Sequence, residues 1–291
     1  MMEVGEGGLA RLKDGPELPG VLAAHGPLPA RERDEPRLVD PQASWRRFRE
    51  SSFAALLHQP DPFARFWFRD LRRLALLLAL VRRSSWLRNG KPASFALGSL
   101  AAQAKMSIAR TAQVLDMSCG VGDFHRCPCP DDLRQSVFEP TPATQAAVES
   151  LVARLCQSAS SVLGCPDPFP ALTPLRRRTA CIIVVDALHA CLVRLDLEDR
   201  SVGSLTFLVA MLDLYLHSPV ATADFVRREA SRLRVTTMTL RNVLRRGRQR
   251  GWVQQKGRMV TLAPAAEERI PRVLADGTRN LARLLEEIAS S

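Results

Sequence analysis

The sequence predicts a mainly α-helical chain with small β-ribbons, arranged as two similar units packed through long helices. Three observations carry that prediction. Apolar residues recur at helical spacing, and aromatic residues make up only 5% of a 291-residue chain that is 46% apolar, a balance that favours helices over β-sandwiches. Residues 230–262 read as a helix, a tight turn, a second helix and a short basic hairpin. The same order of features occurs once before: Val235 falls on Met106, 235 minus 106 or 129 positions earlier.

The elements follow in order. Residues 1–43, rich in Gly, Pro, Glu and Arg without helical or strand period, read as a disordered tail, and they lack the basic and apolar regions of a secretion signal. Helices are predicted at 44–58 and 62–83, the second containing the apolar run Leu74–Val81 between two arginine pairs. That run is far short of the ~20 residues that span a membrane. Helix 97–104 leads into helix 107–119, an extended ribbon follows at 122–140, and helix 142–163 completes a first unit, 44–163. A proline-rich stretch, Gly164 to Pro170, makes 164–173 a linker. The second unit, 174–291, repeats the plan with helices at 174–197, 201–217, 223–232 and 236–250, strands near 252–255 and 259–262, and helix 265–288. Asp186 and His189 interrupt the apolar stretch Cys181–His189, so that helix is expected to face a core or a partner. Pro142 and Pro264 stand at helix starts, where the missing N–H has no intrahelical acceptor to lose.

The second unit carries the chemistry. Thr236 is a suitable N-cap, and Leu240, Val243 and Leu244 form an i, i+3, i+4 stripe that must face inward. The rest of that helix offers Thr237, Met238, Arg241, Asn242, Arg245, Arg246 and Arg248, and the ribbon turns at Lys256-Gly257-Arg258. A helix buried on one side and lined with Arg, Asn and Thr on the other suits a DNA major groove. From Ala223 to Val260 ten Arg and one Lys oppose Asp224 and Glu229, 11 minus 2 or +9, while the whole chain is only +11. Charge gathered on one surface is what phosphate contact with counterion release requires.

The earlier copy aligns without gaps around its turn. Ala101 matches Ala230, Ser107 matches Thr236, Gln113 matches Asn242, Val114-Leu115 matches Val243-Leu244 and Gly122 matches Gly251. The same register places Leu74–Val81 on Gly203–Ala210, and the copies rejoin at an offset of 122 where Phe138–Ala143 meets Val260–Ala265. From Ser94 to Phe138 four basic and four acidic residues cancel, and Ala112 and Asp116 stand where the second copy has Arg241 and Arg245. The first copy is expected to be a weak or silent reader.

Ala230-x-x-Leu233-x-Val235-Thr236, Leu240-x-x-Val243-Leu244, Gly251-Trp252-Val253, the Lys256–Arg258 tip and Val260–Ala265 together resemble the winged helix-turn-helix transcription regulators, most closely the MarR-like group. Gly247 departs from that pattern, which has a large apolar anchor there, so a looser or shorter recognition helix is expected. The resemblance implies tandem winged helix-turn-helix units, a sequence-specific regulator of transcription that binds double-stranded DNA, and a small-molecule effector as a further candidate partner. Such proteins are dimers of one-domain chains. This chain reads as that dimer fused, a monomer acting as a pseudo-dimer, with a homodimer as the alternative. A plasmid- or phage-type replication initiator with tandem winged-helix domains and a protein-binding winged-helix scaffold are the other readings.

Remaining candidates are weaker. Cys119, His125, Cys127 and Cys129 form a Cys-x5-His-x-Cys-x-Cys cluster of zinc-type ligands or redox thiols, at a spacing that favours an incidental loop. Cys156, Cys181 and Cys191 read as small core residues, and His58, His189 and His217 as structural. Phe66, Trp67 and Phe68 line either an effector pocket or core. No phosphate loop, nucleophile elbow, HExxH or dinucleotide fingerprint occurs, so neither an enzyme nor a cofactor is expected. Seven cysteines without a secretion signal suggest reduced thiols and a cytoplasmic location.

Overall fold

A computed structural model of the chain describes residues 40–50, 62–68, 70–90, 92–93, 96–129, 136–194 and 205–291. Residues 1–39 of the tail expected over 1–43, the end of the first helix with His58, and the side chain of Cys191 lie outside that description. The fold is mainly helical with two small antiparallel sheets. In order come α1 (Pro41–Glu50), α2 (Pro62–Trp67), α3 (Leu71–Arg83), α4 (Leu97–Gln103), α5 (Ile108–Gly120), β1 (Phe124–Pro128), β2 (Ser136–Pro140) and α6 (Pro142–Leu163). Then follow α7 (Pro174–Arg194), α8 (Leu205–His217), β3 (Val220–Ala221), α9 (Thr222–Arg232), α10 (Thr237–Gln249), β4 (Val253–Lys256), β5 (Met259–Leu262) and α11 (Pro264–Ser290). No helix among the described residues is long and apolar enough to cross a membrane.

Several elements differ from expectation. The helix expected over 62–83 breaks, because Asp70 turns extended and its carboxylate accepts the Arg72 N–H at 2.9 Å, capping α3. The first helix starts at Pro41, three residues inside the expected tail. The linker is packed: Gly164, at φ 68°, ends α6, and Phe169 and Leu172 then bury into the first core. β3 was not anticipated.

The two helix–turn–helix–hairpin stretches share a backbone. Met106 N–H donates to Ala101 C=O as Val235 does to Ala230, at 2.9 and 3.0 Å. Lys105 and Arg234 take the left-handed turn position, at φ 52° and 50°, and Gly122 and Gly251 end the second helices at φ 82° and 69°. Ser107 and Thr236 accept from Arg110 N–H and Thr239 N–H as N-caps. After the hairpins, Thr141 N–H donates to Asp123 C=O as Ala263 does to Trp252, which fits the seven-residue lengthening of the first hairpin. Upstream the register changes. α3 and α8 end at Arg83 and His217, 217 minus 83 or 134 apart. The connection after α3 is therefore five residues longer than its counterpart, and the ungapped pairing of Leu74–Val81 with Gly203–Ala210 does not hold.

The units are not separate halves. One core joins Leu76–Val81 of α3, Leu115, Phe124, and Val148, Leu151 and Cys156 of α6 to Ala180, Cys181, Val184 and Val185 of α7. The other joins Phe207, Met211 and Leu214 of α8 to Phe225, Leu240, Val243, Leu244, Val253, Val260 and Leu262. Trp45 of α1, in turn, packs with Val209 and Leu233 of the second unit, stacked 5.3 Å from Phe48. The opening helix of the second unit thus sits in the first unit's core, and Trp45 of the first unit's opening helix covers a small apolar cluster on the second. Arg178 donates across the two units to Ser85 C=O, while Arg47 ties α1 to Val162 C=O of its own unit. α6 and α11 pack together and against α1 and α7. Each large side chain buried this way contributes about 1.5–3 kcal/mol relative to exposure.

Candidate nucleic-acid interface

The candidate surface is built on α10. Leu240, Val243, Leu244 and Gly247 are buried, so the opposite side is presented outward. At roughly 100° per residue the outermost ridge is Met238, Asn242, Arg245 and Gln249, with Arg241 and Arg248 on the hairpin side and Arg246 on the other. Thr237, Met238, Arg241, Arg245, Arg246 and Arg248 are exposed, and Asn242 is half-buried. The helix contains no acidic residue.

Gly247 proves to be a close-approach position. A β-carbon there would lie 2.7 Å from Val253 Cγ2, so the glycine lets β4 lie directly on α10. The expected loosening of the helix does not occur, and α10 runs its full 13 residues. In the first unit the counterpart is Ser118, also buried, whose hydroxyl donates back to Leu115 C=O at 2.8 Å.

The hairpin is held in place from three sides. β5 pairs with β4, Val253 opposite Leu262 and Lys256 opposite Met259, and Gly257 opens the two-residue turn at φ 58°. β3 adds to the far edge of β5, Val220 opposite Val260. Thr222 donates both its N–H and its hydroxyl to Arg258 C=O, at 2.8 and 3.0 Å, fastening the tip to the start of α9. Arg248 Nη1 donates to Gln255 Oε1 at 2.6 Å, and Gln255 Nε2 donates to Gly257 C=O. Arg248, expected as a free contact, is thus also a brace between helix and hairpin. Lys256 and Arg258 remain exposed at the tip.

Between these elements lies an open cleft of about 680 Å³, lined by Thr222, Arg227, Thr237, Arg241, Gln255 and Arg258 among others. Arg227 and Gln255 were not singled out from the sequence. Arg227 was visible only as one charge among many, and Gln255 carries no charge to flag it. One of the two acids in the basic stretch is withdrawn from this surface. Glu229 is fully buried, held by Arg232 at 2.7 Å and Arg228 at 2.9 Å, and Arg232 also pairs with the fully buried Asp213 of α8. The exposed field is therefore almost wholly positive.

The first unit presents the same frame without the charge. On α5, Ala109, Gln113 and Asp116 are exposed, and Arg110 is tied to Gln113 at 2.5 Å. Its exposed apolar residues do not form one patch. Ile108 and Met117, nine positions apart, fall on opposite flanks of the helix.

Other candidates resolve differently. No group of three or more His, Cys, Asp or Glu among the described residues is placed to hold a metal, so Cys119, His125, Cys127 and Cys129 do not converge. Cys129 is buried while His125 is exposed, and burial raises the Cys119 thiol. Cys156 and Cys181 are buried thiols pushed up to about 12, chiefly by desolvation. Trp67 and Phe68 are core, Trp67 edge-on to Phe124 and donating its indole N–H to Asp123 at 2.9 Å. His189 is buried in α7, and desolvation with the nearby Arg82 lowers its pKa although Asp186 opposes the shift. Set against family models, curated proteins and solved structures, the chain matches none of them.

Proposed function

We propose that this chain is a sequence-specific, double-stranded DNA-binding regulator of transcription, built as two tandem winged helix-turn-helix units. In that reading α10 enters the major groove, and the β4–β5 hairpin and the start of α9 follow the phosphate backbone. One observation carries it. The outward face of α10 combines Arg241, Asn242 and Arg245 with no acid, beside a braced basic hairpin, while the same frame in the first unit is neutral. Backbone repetition with charge concentrated on one copy is unexpected for a merely solvated helix. The reciprocal packing of α1 and α7 supports reading the chain as a dimer fused into one polypeptide.

A replication initiator is the second reading, favoured by the pairing of one charged unit with one neutral unit that is free to hold a protein. The DNA recovered separates them: scattered promoter-like sites for a regulator, clustered repeats for an initiator. The direct test is titration of full-length protein with random-sequence duplex at low salt. Binding that weakens linearly in log salt, with a slope of about −0.9 per phosphate contact, is expected. Absence of binding to any duplex at low salt overturns both readings.

A further inference from the structure

We infer that Met238 is a specificity-determining residue that reads the methyl group of a thymine, with Asn242 on an adenine and Arg245 on a guanine of the same site. The inference rests on the DNA-reading proposal and adds what sequence is read. Met238 is 60% exposed on the second residue of α10 and belongs to none of the three hydrophobic clusters. It stands on the outermost ridge of a helix whose other outward residues are polar or charged. A thioether side chain offers phosphate nothing. In the major groove its complementary surface is the one apolar group there, the C5 methyl of thymine.

The next ridge positions read the polar edges. Asn presents a donor and an acceptor that match adenine N7 and N6, and Arg presents two donors that match guanine O6 and N7. Met238 and Asn242 are one turn apart, about 6 Å along the helix, and Arg245 is about 4.5 Å further. With about 3.4 Å between successive nucleotides, that places the thymine and adenine about two steps apart and the guanine one or two steps beyond. The first unit lacks the thioether and the guanidinium, with Ala109 and Asp116 in their places, and its one matching carboxamide, Gln113, has its oxygen occupied by Arg110. It adds no equivalent base contacts, so the preferred site is a single, non-palindromic element.

The test selects duplexes from a random library with the full-length protein, then repeats the selection with Met238→Ala and Met238→Leu. The wild-type motif is expected to contain thymine, adenine and guanine at those spacings. Replacing that thymine by uracil removes only the methyl group and should weaken wild-type binding about fourfold, the worth of burying one such group. Met238→Ala should bind the thymine duplex about as weakly as wild type binds the uracil duplex, and should not distinguish the two. Met238→Leu should restore the distinction. Because Met238 packs in no core, circular dichroism of the variants should be unchanged. If Met238→Ala selects the same motif and keeps the full uracil penalty, the inference is overturned while DNA reading stands. If the wild-type protein enriches no duplex, the DNA-reading proposal fails with it.

Discussion

In the first unit the outward face of α5 carries Ala109, Ala112, Gln113 and Asp116; in the second, the same positions of α10 carry Met238, Arg241, Asn242 and Arg245. The contrast continues inward. Glu229 and Arg232 of α9 correspond to Leu100 and Gln103, and Asp213 of α8, in the register set by helix ends, corresponds to Ala79. Leu100 and Ala79 are as fully buried as the acids that replace them. One backbone therefore tolerates either an apolar interior or a charged one, and either a neutral face or a cationic one. What the copies keep are the conformational fixtures: an N-cap hydroxyl, a left-handed turn residue and a terminating glycine.

The largest expected effect comes from breaking the inner difference. Arg232→Gln leaves two fully buried carboxylates, Asp213 and Glu229, without their shared cation, and should cost about 3–5 kcal/mol in urea unfolding. The triple change Asp213→Ala, Glu229→Leu and Arg232→Gln installs the first unit's interior and should cost less than the single one. A triple variant as damaged as Arg232→Gln would mean the two interiors are not interchangeable.

Exchange of the outer face comes next. Arg241→Ala with Arg245→Asp gives α10 the residues of α5 and should lower DNA affinity on the order of a hundredfold. With Arg245 assigned to a guanine, the log–log salt slope should become shallower by about 0.9 at most, the share of Arg241 as a phosphate contact. Anisotropy titrations at several salt concentrations measure both. The reverse exchange, Ala112→Arg with Asp116→Arg, should lengthen the nuclease-protected footprint if α5 already lies against DNA, and an unchanged footprint would place that face elsewhere.

Gly247→Ser copies Ser118 into the second unit and should destabilise it by about 1–3 kcal/mol, because the added atoms meet Val253 in a filled space. Ser118→Gly should cost less, about 0.5–1 kcal/mol, chiefly through helix entropy. Thermal unfolding of both variants makes the comparison, and a harmless Gly247→Ser would show that β4 shifts freely.

The smallest effect concerns acid. Burial and Arg82 depress the pKa of His189, so the folded protein binds its proton less readily than the unfolded chain does. The stability from a neutral His189 is present above the ordinary histidine pKa near 6.5 and is lost as pH falls from there through the depressed value. His189→Gln should flatten melting temperature against pH in that window. An unaltered profile would locate the dependence in other groups.

Much of the candidate surface was legible because its determinants are local. Ser107 and Thr236 announce helix starts, Gly122 and Gly251 announce ends, and the stripe Leu240, Val243, Leu244 fixes which face is left for solvent. Asp70 was equally local, yet the apolar run after it concealed the break before α3. β3 was invisible because two residues carry no periodicity, and Val220 and Ala221 are defined only by their pairing with β5. Gly247 was misread because composition cannot tell a missing anchor from a close contact. The exchange of α1 and α7 was beyond reach for a related reason. An apolar stripe states that a face must be covered, and says nothing of which segment covers it.

That exchange makes the chain a reassembly problem in miniature. Cutting the 164–173 stretch would not release two finished modules, since the second fragment would carry α7 and the end of α11 out of the first core, and the first would carry Trp45 off the second unit's cluster. The fragments should be unstable apart and recombine when mixed, as a split protein does. The peptide link between them acts as a tether that supplies a fixed effective concentration. Intact, the protein should melt at a temperature independent of its concentration; nicked, its melting should rise with concentration as that of an obligate pair does.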